Sequence, residues 1–248
     1  MDNILFGRNT VIEALKSGRE IEKLLILKSS EGSVKKIEGI ARERRIPIQY
    51  VDKATLDRIT AGPGGTGSHQ GVAASTSPYS YCEVEDLLSA AADRGEPPFI
   101  IILDGIEDPH NLGAVMRTAD GAGAHGIIIP KRRAVGLTET VAKVSAGAIE
   151  YIPVARVSNL AQAIDRLKES GLWIAGCDMD GDDYDSTDLT GPLAIVIGNE
   201  GQGISRLVRE KCDFIVSIPM EGKIASLNAS NAAAVLMYEI HRQRKGKK

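Results

Sequence analysis

From Phe99 onward, short apolar runs alternate with amphipathic stretches, and this alternation constrains the chain more than any other feature. Phe99-Ile100-Ile101-Ile102-Leu103 and Leu193-Ala194-Ile195-Val196-Ile197 are apolar at every position. They are far too short to cross a bilayer and have the character of strands buried on both faces. Further strands are expected at 126–129, 151–155, 172–176 and 213–217, and helices at 111–121, 158–170 and 229–243. This order predicts an α/β domain with a mostly parallel sheet. Ligands in such sheets sit beyond the carboxyl ends of the strands. The loops after 99–103, 193–197 and 213–217 are therefore the expected places for chemistry.

The first 76 residues read as a smaller α/β unit. Thr10 and Glu13 have capping-box spacing for a helix that Gly18 can close. Strands are expected at 24–27, 48–51 and 72–75. A helix is expected from Ser33 to about Arg45, with Val34, Ile37 and Ile40 or Ala41 on one face. Asp52 is placed to cap a helix over 54–59, and a glycine-rich loop runs from Ala61 to Ser68. Residues 77–98 read as a connector with a helix near 84–92, ended by Pro97-Pro98.

Charge is uneven. Residues 1–76 carry +3 and the remainder −6, with six aspartates crowded between Cys177 and Asp188. A basic front and an acidic back can orient a polyanion. Cys82, Cys177 and Cys212 form no CxxC pair, and no basic-then-apolar leader opens the chain. Both observations suit a cytoplasmic protein. No metal site is expected.

The loop after the first strand of the larger unit enters a helix through Pro109 and Asn111 and continues Leu112-Gly113-Ala114-Val115-Met116-Arg117. Asn111 and Arg117 lie about 120° apart around such a helix and need not touch. Arg117, after apolar Val115 and Met116, is expected at the rim of the helix, where a guanidinium suits a phosphate. The next loop is Gly198-Asn199-Glu200-Gly201-Gln202-Gly203. Its glycines fall at positions 1, 4 and 6, not at the 1, 3 and 6 of a dinucleotide fingerprint, and it follows a late strand. The Glu200 carboxylate would repel a pyrophosphate and suits a cationic or hydroxyl-bearing ligand. The third loop, Ile218-Pro219-Met220, precedes Ser226-Leu227-Asn228-Ala229-Ser230, where serine and asparagine can cap the final helix.

Together these three segments resemble the SpoU branch of the SPOUT methyltransferases. Phe6-Gly7-Arg8-Asn9, Val11 to Leu15 and Ser68-His69-Gln70-Gly71-Val72 are similar to the small RNA-binding domain, like ribosomal protein L30e, of the 23S rRNA guanosine 2′-O-methyltransferase group. Lys143-Val144-Ser145-Ala146-Gly147-Ala148 also resembles that group. The resemblance implies an L30e-like RNA-binding domain at 1–76, a linker at 77–98 and a SPOUT catalytic domain at 99–248. It implies a deep trefoil knot including residues from about 193 to 235, and a homodimer with its site at the subunit interface. It also implies S-adenosylmethionine as cofactor, held by Gly198, Asn199, Gly201, Ile218, Met220 and Leu227.

The implied reaction is methylation of a ribose 2′-hydroxyl in RNA, most simply a guanosine of 23S rRNA. The implied catalytic set is Arg117, Asn111, Glu200, Ser226 and Asn228. A neutral arginine base conflicts with a guanidinium pKa above about 12. Arg117 is therefore expected to bind the adjacent phosphate and orient the hydroxyl. Asn111, Glu200, Ser226 and Asn228 are expected to hold the nucleotide or fix the arginine. Arg8, Arg19 and the 62–71 loop are candidate RNA contacts. Two other readings stay open: a tRNA ribose methyltransferase, and a non-catalytic RNA-binding or ribosome-assembly protein. A nicotinamide-dependent oxidoreductase is disfavoured by the glycine spacing.

Overall fold

The computed structural model describes residues 4–16, 21–28, 33–61, 68–76, 79–223 and 226–246. They fall into two units, Met1–Ser80 and Tyr81–Lys248. Arg19, Gly18 and residues 62–67 lie outside the described residues.

The first unit contains β1 (Ile4–Phe6), α1 (Arg8–Lys16), β2 (Ile21–Leu27), α2 (Ser33–Glu43), β3 (Ile48–Val51), α3 (Lys53–Thr60) and β4 (Val72–Thr76). Its sheet has the order β1-β4-β2-β3, with β2–β3 parallel and the other pairs antiparallel. Side chains alternate across a strand, so β2 serves two cores. Leu24 and Ile26 pack with Val11, Leu15, Val34, Ile37 and Ala41, while Leu25 packs with Val51, Leu56 and Ala73 on the other face. Asp52 caps α3 by accepting from the Thr55 amide at 2.8 Å. β1 was not expected, and α1 opens two residues before Thr10.

His69 stabilises the approach to β4. Its Nδ1 accepts from the Gly71 amide at 2.9 Å, so the ring proton sits on Nε2 and faces Asp57 Oδ1 at 3.0 Å. Arg8 donates from Nε to the Gln70 carbonyl at 3.0 Å. This candidate RNA contact is thus also a brace for a turn in which Gln70 and Gly71 both take positive φ.

The second unit begins with α4 (Val84–Asp93). Val84, Leu87 and Ala91 are buried there, and Val84 and Leu87 join the main core. The helical part of the expected connector therefore belongs to the body of this unit. Then follow β5 (Phe99–Asp104), α5 (Pro109–Ala122), β6 (Gly126–Pro130), α6 (Glu139–Val144), β7 (Val154–Val157), α7 (Leu160–Glu169), β8 (Trp173–Asp183), β9 (Leu193–Gly198), α8 (Arg206–Arg209), β10 (Phe214–Ser217) and α9 (Ala229–Gly246). The sheet order is β10-β8-β9-β5-β6-β7, and every pairing is parallel. Phe99, Ile100, Ile101, Ile102 and Leu103 of the central strand are all buried. Each such side chain contributes on the order of 1.5–3 kcal/mol.

Two expected strands are corrected. The strand expected at 151–155 is β7 at 154–157, because Ala148–Glu150 forms a 3-10 turn and Pro153 has no amide to donate. The strand expected at 172–176 runs on to Asp183. α6 was not foreseen; Thr138 caps it, accepting from the Val141 amide at 3.3 Å.

Candidate functional site

The register of the two central strands builds the site. Phe99 stands opposite Leu193 and Asp104 opposite Gly198, so the first and second motif loops leave the sheet side by side. The loop after β9 turns back at once: Asn199 and Gly203 exchange backbone hydrogen bonds at 3.2 and 2.8 Å. A Cβ on Gly198 would lie 2.2 Å from the Gly203 carbonyl carbon, so only glycine permits this fold-back. The Asn199 side chain fixes it further. Its Nδ2 donates to the Gly105 carbonyl at 3.0 Å and its Oδ1 accepts from the Gly201 amide at 2.8 Å. Asn199 thus ties the second loop to the first.

The first motif helix is set by sequence chemistry. Asp108 caps α5, accepting from the His110 amide at 2.8 Å; Pro109 occupies the first turn and Gly123, at φ +79°, ends the helix. Gly113 lets α5 pack against α6. A Cβ there would stand 2.7 Å from the Val144 Cβ, which joins the Asn111–Arg117 and Lys143–Ala148 motifs.

Glu200 is where the three motifs meet. Its Oε1 accepts from Asn111 Nδ2 at 2.7 Å, Asn228 Nδ2 at 3.1 Å and the Ala229 amide at 3.3 Å. Asn228 also donates to Asn111 Oδ1 at 2.9 Å. The Asn228 Oδ1 in turn accepts from the Ser230 amide at 3.0 Å and caps α9. The carboxylate therefore sits at the amino end of an 18-residue helix, where negative charge is favoured. Asn111 itself is buried.

Beside this cluster lies a cavity of about 320 Å³, within the range of small-ligand sites. Gly198, Asn199, Gly201, Ile218, Met220 and Leu227, the residues expected to hold a cofactor, all lie on its wall, as do Glu200 and Ser226. Asn111 and Asn228 reach it through Glu200. Arg117 does not join them. It is exposed and forms no hydrogen bond or ion pair among the described residues, so these groups do not fix the arginine within one chain.

Sequence reasoning missed one wall. Cys177, Asp178 and Met179 also line the cavity. They lie where β8 departs from β10: Ile215 pairs with Gly176 but Val216 pairs with Asp182. Asp178 contacts Arg209, whose Nη2 also meets both Asp180 oxygens at 2.8 Å. The guanidinium holds the Asp180 carboxyl below the usual carboxylate range. Part of the acidic segment is thus internally paired, not a free polyanion-facing surface. Gly176 and Gly181, which bracket the departure, are the signal that could have marked it. The three thiols are half-buried, and burial pushes each up to about 11. Among the described residues no helix is long and apolar enough to cross a membrane.

Comparisons with known proteins converge on one family. Residues 98–238 match the SpoU rRNA Methylase family, and residues 4–82 match the family described as RNA 2′-O ribose methyltransferase substrate binding. A Bacillus subtilis protein named as a TrmH family tRNA/rRNA methyltransferase, YacO, is 52% identical over 242 residues, covering 97% of this chain and 95% of that protein. A Staphylococcus haemolyticus relative with the same family name is 48% identical over 245 residues, covering 98% and 96%. Among solved structures, the SpoU methyltransferase AviRb of Streptomyces viridochromogenes, in complex with AdoMet, aligns with a TM-score of 0.58 and 27% identity. That alignment covers 98% of this chain and 90% of AviRb. The A. aeolicus TrmH/SpoU tRNA modifying enzyme aligns with a TM-score of 0.56 and 28% identity, over 61% of this chain and 78% of that one. With its three motif loops gathered at the carboxyl ends of a parallel sheet, this chain belongs to the SpoU/TrmH family of RNA methyltransferases.

Proposed function

We propose that the chain methylates a ribose 2′-hydroxyl in RNA using S-adenosylmethionine, and that its target is a guanosine of 23S rRNA. The observation that carries this reading is the convergence of Asn111, Glu200 and Asn228 at the edge of a cavity lined by the Gly198–Gly203 fold-back and by Ile218 and Leu227.

The cavity fits the cofactor. Ile218 and Leu227 offer apolar flanks for a flat ring, and Gly198 and Gly201 bring backbone close. Asp178 and Glu200 offer negative charge to a sulfonium and an ammonium. S-adenosylmethionine supplies an electrophilic methyl group on a sulfonium, so the protein's task is to position the hydroxyl and manage its proton. Glu200 engages its three donors through Oε1, leaving Oε2 able to accept from a ribose hydroxyl. Arg117 binds the phosphate beside the target ribose and orients the hydroxyl. Its exposure and its lack of partners among the described residues suit a site completed by a second copy of the chain. Residues 1–76 then serve RNA recognition, the part of 77–98 ahead of α4 joins them to the catalytic part, and the reading carries with it a trefoil knot that includes residues from about 193 to 235.

Mapping 2′-O-methyl sites in total RNA from cells with and without the protein tests the reading. Loss of one methyl on a 23S rRNA guanosine is the expected result. Loss from tRNA instead would move the target, a reading favoured by the tRNA modifying enzyme among the structural neighbours. An unchanged map, together with no calorimetric binding of S-adenosylmethionine, would return the chain to a non-catalytic RNA-binding role.

A further inference from the structure

A second concavity, of about 540 Å³, opens on the other side of the Gly198–Gly203 fold-back. Asn199, Gln202 and Gly203 line both spaces, so one short loop is their common wall. The second space is bordered by Arg132, Arg133 and Arg206. Arg132 and Arg133 are exposed, and neither forms a hydrogen bond or ion pair among the described residues. Among the described residues Arg206 carries only an exposed pair with Glu210 at 2.8 Å, a weak commitment. Asp104 is the carboxylate on this lining, and its Oδ2 already accepts from the Ser205 amide at 2.8 Å.

Arg133 also holds φ at +56°, the left-handed region that side chains other than glycine rarely adopt. Backbone outliers of this kind gather at ligand-binding segments. Two arginines on a concave surface, unpaired among the described residues and one of them on strained backbone, are the chemistry that grips phosphate oxygens.

Resting on the RNA methyltransferase reading, we infer that this groove holds the phosphate backbone of the substrate RNA strand adjoining the target nucleotide, with Arg132 and Arg133 as the phosphate-binding residues. The shared wall makes the geometry economical. A strand lying in the groove needs only to pass Gln202 for its ribose to reach the cofactor cavity. Phosphate contacts fix register without reading sequence, so this groove positions the RNA and the selection of the nucleotide lies elsewhere.

The test uses the full chain and a fluorescein-labelled, mixed-sequence single-stranded RNA, titrated over a range of salt concentrations. Arg132→Ala/Arg133→Ala is expected to weaken binding at least tenfold and to reduce the slope of log affinity against log salt by roughly one per arginine removed. Arg132→Lys/Arg133→Lys should retain most of the slope, and S-adenosylmethionine affinity should not change. Arg166→Ala removes an exposed charge that pairs with Glu85 and does not line the groove, and it should leave RNA binding unchanged. Equal losses for Arg166→Ala and the double variant would mean bulk charge alone and would overturn the groove. Wild-type affinity and slope in the double variant, with RNA methylation intact, would overturn the groove and leave the enzymatic reading standing. A wild-type chain that binds S-adenosylmethionine but neither binds nor methylates RNA would overturn both.

Discussion

The Asn111 amide donates to Glu200 Oε1 at 2.7 Å, joining the first motif helix to a loop 89 positions later in the chain. Because Asn111 is buried, removal of its acceptor leaves a donor without a partner. Glu200→Ala should lower unfolding free energy by about 1–3 kcal/mol and abolish methyl transfer. Glu200→Gln keeps an accepting oxygen and should recover most of the stability with little activity. Urea denaturation alongside a methylation assay separates the two effects. An alanine variant as stable as the parent would remove Glu200 from its joining role.

Arg117 is the opposite case. It is exposed and unpaired among the described residues, so Arg117→Ala should change stability by less than about 0.5 kcal/mol. Methyl transfer should be lost while calorimetric affinity for S-adenosylmethionine stays the same. Full activity in this variant would refute its assignment to the RNA chemistry.

Gly198 tolerates no side chain. An added Cβ would stand 2.2 Å from the Gly203 carbonyl carbon, and the fold-back must move to admit it. Gly198→Ala should cost about 1–3 kcal/mol and weaken cofactor binding at least tenfold. Gly201→Ala meets only Asn199 Oδ1 at 3.4 Å and should be much milder. Equal effects of the two substitutions on cofactor affinity would contradict the close-approach argument.

His125 gives the second unit a pH dependence. Its Nδ1 accepts from the Phe99 amide at 3.0 Å, and Nε2 donates to Glu96 at 3.2 Å. Burial first, then the nearby Arg94 charge, push the imidazole below its ordinary value of 6.5. The unfolded chain therefore takes up the proton first as pH falls. The contribution is fully present above about pH 6.5 and declines below it. Denaturation curves across this window should show wild type losing stability more steeply than His125→Gln. Parallel slopes would show that His125 is not the titrating group.

Arg244 anchors the far end of α9. Its guanidinium donates to the carbonyls of Pro97 at 2.9 Å, Pro98 at 3.0 Å and Gly191 at 2.7 Å, and lies over the Phe99 ring. Lysine cannot reproduce that planar fork. Arg244→Lys and Arg244→Ala should both lower stability, by about 2–4 kcal/mol for alanine. A lysine variant indistinguishable from wild type in urea would show that charge, not the fork, holds the helix.

The central strands were legible because β5 and β9 are apolar throughout, and burial on both faces leaves little else for such a run to do. β8 was legible only in its first half. Beyond Gly176 its aspartates have the composition of a solvated loop, yet they continue as strand to Asp183, and Arg209 pairs with two of them. β1 and α6 escaped because three and six residues are too short to show a period. At the site, resemblance named Asn111, Glu200 and Asn228 separately. Their mutual hydrogen bonds depend on the β5–β9 register and on where α9 starts, and no local spacing encodes either.

α9 links two chemistries that lie far apart. Its first turn is held by Asn228 and Glu200 at the cavity, and its last by Arg244 on the carbonyls before β5 and β9. Eighteen residues span about 27 Å of rigid rod. A molecule retained at the cavity therefore disfavours fraying of the whole rod, since ligation stabilises the closed state it selects. Amide exchange along α9, out to its final turn, becomes a remote gauge of occupancy at its beginning.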